Sequence, residues 1–131
     1  MSDDQDRVIS DLMGRLGIYA QGIAMALMAL PVPMSLPKGD QGKGLLRDFL
    51  PAVVRAYEIA DEQPIPVEQR AIACTALLHW ITAAELTVAY AVSGDQYRAD
   101  AALLAMMTGE PMLADLIEWL VDPEGWEPPQ D

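Results

Sequence analysis

Residues 16–37, LGIYAQGIAMALMALPVPMSLP, run 22 positions without a formal charge, and few folds can house such a run. Three destinations are open to it: an export signal, a membrane span, or the interior of a helical protein. An export signal carries positive charge ahead of its apolar part, whereas this chain starts MSDDQD. A membrane helix needs about 20 apolar residues. Here Pro31, Pro33 and Pro37 confine the uncharged helical part to residues 16–30, roughly 22 Å at 1.5 Å per residue against a bilayer core of about 30 Å. The interior of a helical protein is left. Ile9, Leu12, Leu16, Tyr19, Ile23, Ala26 and Leu30 recur in steps of three and four, the spacing of a helix with one buried face. Ile18, Met25 and Met28 fall off that stripe, so the helix is apolar on more than one side. It therefore lies in the middle of a bundle or against another subunit, and the sequence reading expects a homo-oligomer, a dimer or larger.

The remaining chain also reads as helices. KGDQGKG, residues 38–44, is a glycine-rich connection. A second helix is expected over residues 44–61, with Leu46, Phe49, Leu50, Val53 and Tyr57 facing inward and Pro51 in its first turn or kinking it. EQPIP stops it, and Pro66 suits the first position of a third helix reaching residue 92. Ser93-Gly94 end that helix and Asp95 is an N-cap for a fourth over residues 95–108. Gly109 fits just past its end, and Pro111 opens a fifth helix to about residue 121. No stretch alternates as strands do, and no repeat is visible. The expected fold is all-α: one domain, residues 1–122, a bundle of about five helices, followed by an irregular acidic, Pro-rich tail, 123–131. At 131 residues the chain holds one domain with a real core.

Reaction chemistry leaves few marks. The single cysteine, Cys74, excludes an internal disulfide and a multi-cysteine metal site, and is compatible with a reducing cytoplasm. Gly42-Lys43 resembles the Gly-Lys of a phosphate loop, but Gly44 stands where Ser or Thr would hold magnesium, and no strand precedes it. His79, the only histidine, lies five residues from Cys74, about 140° around a helix, so the two do not form a nucleophile–base pair. Glu85 sits inside the most apolar line of the third helix, Val67, Ala71, Cys74, Leu78, Ile81, Glu85, Val88 and Val92. A buried, unpaired carboxylate costs several kcal/mol by the rule that buried charges are paired. The reading therefore expects Glu85 to pair with Arg15, Arg47 or Arg55, or to line a pocket or interface with His79. Glu-x-x-His pairs of the ferritin type are absent, so no metal and no cofactor are expected.

Charge is the stronger signal. The net charge is −12; residues 1–84 carry ten acids and seven bases, and residues 85–131 carry ten acids and one base, Arg98. Asp115, Glu118 and Asp122 fall at helical spacing opposite Leu113, Leu116, Ile117 and Leu120, and the tail adds Glu124 and Trp126. Such a surface repels nucleic acid and anionic membranes and attracts basic proteins. Small acidic inhibitors and immunity proteins share this general character of size and charge. The sequence thus points to a cytoplasmic, non-enzymatic binding module that covers a basic surface on another protein. Asp115, Glu118, Asp122, Glu124 and Trp126 are its contact residues. Two alternatives stand beside it: a helical assembly subunit that forms a homo-oligomer, and a small-ligand binder with a pocket near Glu85 and His79.

Overall fold

A computed structural model describes residues 3–37 and 44–123. Four α-helices account for most of them: α1 (Asp3–Ala29), α2 (Leu50–Ala60), α3 (Val67–Ser93) and α4 (Gln96–Val121), with a π turn, Leu45–Phe49, leading into α2. No strand occurs among the described residues. The glycine-rich connection 38–43 and residues 124–131 lie outside them.

The stripe of α1 buries as its spacing requires. Leu12, Leu16, Tyr19, Ile23, Ala26 and Leu30 are all buried. Two hydrogen bonds lock this stripe to α3 in a reciprocal clasp. The indole N–H of Trp80 donates to the Leu16 carbonyl at 3.0 Å, and the Tyr19 hydroxyl donates to the Ala76 carbonyl. Because 16 meets 80 and 19 meets 76, α1 and α3 run antiparallel. Tyr19 also abuts Gly109, and Gly22 abuts Leu113, so α1 and α4 run parallel. The three long helices therefore go up, down and up, and α2 packs on α3, with Phe49 of the π turn ahead of it meeting Trp80 edge-on at 5.3 Å. One apolar cluster with Trp80 fully buried joins all of them.

Side chains mend the irregular joints. After α1 the chain turns through Pro31 and Pro33, and the Met34 N–H returns to the Leu27 carbonyl at 3.0 Å. Gln63, buried in the α2–α3 loop, pairs with the Val32 peptide on both sides. It accepts from the Val32 N–H at 3.1 Å and donates to its carbonyl at 2.7 Å. Gln63→Ala removes both bonds to the exposed Val32, each worth about 0.5–1.5 kcal/mol net. A stability loss of roughly 2 kcal/mol in urea unfolding is the expected result; a change within ~0.5 kcal/mol would show that water replaces the amide freely.

Several expectations are corrected here. Among the described residues there are four α-helices where five were expected, because α4 passes straight through Pro111. A proline inside a helix frees one carbonyl and costs about 3 kcal/mol. Pro111 lies on the exposed side of α4, as does Met107, whose carbonyl loses its partner, so water can reach that group. Meanwhile Ala105, Met106, Gly109, Leu113 and Leu116 make one unbroken buried face across the proline, and packing holds the helix together. Gly109 is no C-cap. It is a contact point where α4 comes close to α1 and α3. Pro51 falls in the first turn of α2, as read, but the π turn ahead of it inserts a residue and moves the buried line to Leu45, Phe49, Val53, Ala56 and Ala60. Gly94 ends α3 in the left-handed region at φ 73°, and Asp95 holds the N-cap position of α4 without a capping bond from its side chain.

Candidate functional site: an acidic groove at the end of the α3–α4 hairpin

α3 has 27 residues, and Glu85 shows how it is turned. α1, α2 and α4 pack against three of its sides, burying Ala73, Ala76, Leu77, Trp80, Ala83, Ala84 and Tyr90. The apolar line expected to be buried faces outward instead: Val67, Leu78, Glu85, Val88 and Val92 are exposed, and of that line only Ile81 is buried. Glu85 is thus a solvated carboxylate that needs no partner. Two of the three arginines assigned to it go elsewhere: Arg15 lies 3.7 Å from Glu110, and Arg47 hydrogen-bonds its neighbour Asp48. His79 is half-buried with its Cβ beside Gly109. None of the described cavities is lined by His79 or Glu85, so the structure does not gather them into one pocket.

Cys74 lines a shallow hollow with Asp61 and Arg70. Burial and the Asp61 carboxylate push its thiol up, and Arg70 only partly opposes them, so the reactive thiolate is disfavoured. Tyr19 is likewise held protonated, first by burial and then by Glu110. Its folded pKa is raised, so its contribution to stability is complete below the unfolded value near 10 and is lost as the pH climbs above that. Among the described residues no group of three or more His, Cys, Asp or Glu side chains is placed to hold a metal.

Asp115, Glu118 and Asp122 do come together. They line a groove of about 300 Å³ with Gln69 and Ile72 of α3 and Trp119 of α4. All three acids are exposed, while Leu113 and Leu116 behind them are buried and Ile117 and Leu120 half-buried, as their spacing requires. The rise of about 1.5 Å per residue spreads the carboxylates over roughly 10 Å. No lysine or arginine is among the lining residues. Position adds to the effect. Glu118 lies in the last turn of α4 and Asp122 caps it, with no base in that turn. The C-terminal end of a helix carries partial negative charge, and each acid there costs about 0.3–1 kcal/mol. The groove therefore concentrates negative potential at some expense to the helix.

Gln69, Ile72 and Trp119 were not singled out by the sequence. Trp119 follows Glu118 and sits on the seam between the acidic and apolar stripes, a place where an aromatic side chain reaches both. Glu124 and Trp126, the other contact residues expected from the sequence, lie outside the described residues. By length and composition alone α1 and α3 could each cross a membrane; here both supply core residues. Compared with protein-family models, with curated proteins and with solved structures, the chain shows no significant match.

Proposed function

We propose that this chain is a non-enzymatic helical interaction module of the cytoplasm that seats a basic segment of another protein in the α3–α4 groove. What carries this reading is the groove itself: three exposed carboxylates, an aromatic and an aliphatic side chain, and no cation among the lining residues. Carboxylates accept charge-assisted hydrogen bonds from arginine, and the indole face of Trp119 suits a cation or an aliphatic stem. A partner with Lys or Arg at helical spacing, or on an extended segment about 10 Å long, fits the row of acids. Covering a basic surface in this way is how an inhibitor or immunity-type protein acts. Binding suits this chain better than catalysis, since burial and the Asp61 carboxylate hold Cys74, its one cysteine, as a thiol.

The reading is tested by capturing partners from native lysate at low and high salt. Exposed charges are screened over about 8 Å at physiological salt, so a basic protein retained at low salt should leave steeply as salt rises. Retention that is indifferent to salt speaks for apolar assembly instead.

A further inference from the structure

The largest of the described cavities, about 400 Å³, lies between α1 and the chain that follows it. It shares no lining residue with the acidic groove. Its floor is one face of α1, where Gly17, Ala20 and Ala24 recur in steps of three and four and present almost no side chain. Phe49 and Leu36 form its walls, and Gln21, Met25 and Pro37, all exposed, form its mouth. We propose that this cavity binds a neutral, flat, mainly apolar small molecule that carries one hydrogen-bonding group.

Packing holds the cavity open. Phe49 is buried with its ring edge-on to Trp80 at 5.3 Å, so moving that wall inward would break the aromatic pair. Leu36 belongs to a segment tied back at two points, by the Met34 N–H on the Leu27 carbonyl and by the Gln63 amide on Val32. Glycine sets the depth. A Cβ on Gly17 would meet nothing within 4 Å although Gly17 is half-buried, so no described residue packs against it there. Gly14, almost one turn earlier, has the same freedom, but it is exposed and does not line the cavity.

The lining selects the ligand. Small-molecule sites span about 300–1,000 Å³ and are mainly apolar with a few polar groups that fix orientation, and this cavity has that size and make-up. No charged side chain lines it, so an ion entering would shed its hydration without meeting a counter-charge. The net charge of −12 further repels anions. A helix face without side chains is smooth enough for a ring to lie on, and Phe49 offers that ring an aromatic wall. Met25 adds a polarizable thioether at the edge. The Gln21 amide both donates and accepts, and it is the one polar side chain at the mouth. That places the ligand's single polar group outward.

Titrating the full chain with the neutral dye N-phenylnaphthylamine, followed by its fluorescence, tests this. The wild type should bind it saturably, one dye per chain. Anilinonaphthalene sulfonate, the same ring system with a negative charge, should bind at least about tenfold more weakly, because the cavity holds no cation to meet it. Gly17→Leu projects a side chain into the cavity and should weaken the neutral dye at least about tenfold. Its melting temperature should be no lower than that of the wild type, since leucine favours a helix over glycine. Gly14→Leu should bind the dye as the wild type does. Ala24→Leu blocks the same floor and stands in if Gly17→Leu misfolds. A wild type without saturable binding overturns the proposal. Equal affinity for the sulfonate overturns it too, because it assigns both dyes to exposed apolar surface. So does full binding by Gly17→Leu or its stand-in, or a loss in Gly14→Leu as large as theirs.

Discussion

Trp80→Ala should lose about 4 kcal/mol of stability, within the range for emptying a large aromatic site, and lower the melting temperature by roughly 15 °C. Three independent contributions vanish together at that position. The side chain is fully buried where α1 and the π turn ahead of α2 meet α3. Its ring edge packs on Phe49 at 5.3 Å, and its N–H closes the clasp to Leu16 at 3.0 Å. Trp80→Phe separates these contributions: most of the packing survives and the hydrogen bond is lost, at a cost of about 1–2 kcal/mol. The Leu16 carbonyl keeps its bond within α1, which is why the second figure is small. Chemical denaturation of both variants reads the difference. If Trp80→Ala costs less than about 1 kcal/mol, the meeting of α1 and the π turn on this ring is wrong.

Gly109→Ala should be the most damaging single-methyl change in the chain. A Cβ at that position would lie 2.0 Å from the Tyr19 hydroxyl oxygen and 2.7 Å from the His79 Cβ. Neither neighbour can step aside cheaply. Tyr19 is tied to the Ala76 carbonyl, and the His79 Cβ is fixed to the α3 backbone. Alanine would otherwise favour a helix over glycine by about 1 kcal/mol, so a net loss of about 3 kcal/mol, at the upper end for overpacking, means that α4 has been pushed off α1 and α3. Gly14→Ala is the internal comparison. Nothing lies within 4 Å of its added methyl, so that variant should gain about 0.5–1 kcal/mol. Gly22→Ala falls between, because its methyl meets only the far end of Leu113. Thermal unfolding that ranks Gly109→Ala as neutral or stabilising would contradict the close approach.

The sequence makes some of these features legible and hides others for definite reasons. α1 has polar residues on one side of its N-terminal half and an apolar stripe on the other, so periodicity finds its buried face. The 27-residue length of α3 is legible too, because Pro66 and Gly94 bracket it. Its orientation is not, since a helix apolar all round has no preferred side. The more hydrophobic Val67–Leu78–Val92 line looks like the core by transfer free energy. Yet a helix crowded on three sides needs small residues where its neighbours come close, and the buried line is built on Ala73, Ala76, Ala83 and Ala84. Volume decides where hydrophobicity cannot. The same logic hides Gly109: glycine followed by proline two positions on reads as a helix boundary, and only the tertiary contact with Tyr19 reveals a packing position. In the acidic stripe, side chains three and four apart on one helix suffice to place Asp115, Glu118 and Asp122 together. The groove wall from α3, Gln69 and Ile72, depends on how the hairpin pairs and leaves no local mark.

Central to this account is that the carboxylates of the groove, and not the acidity of the chain as a whole, engage a partner. A comparison at equal charge separates the two. One variant neutralises Asp115, Glu118 and Asp122 to Asn, Gln and Asn; the other neutralises Asp6, Glu58 and Glu62, which are exposed elsewhere. Both change the net charge from −12 by three. The groove variant should fold as well as the wild type or slightly better, since acids leave the C-terminal end of α4. Partners captured from lysate by wild type and by each variant are then quantified side by side by mass spectrometry at low salt. The account expects the groove variant to lose the salt-sensitive partners at least tenfold while the control retains them. Equal loss from both variants, or retention by both, would contradict it.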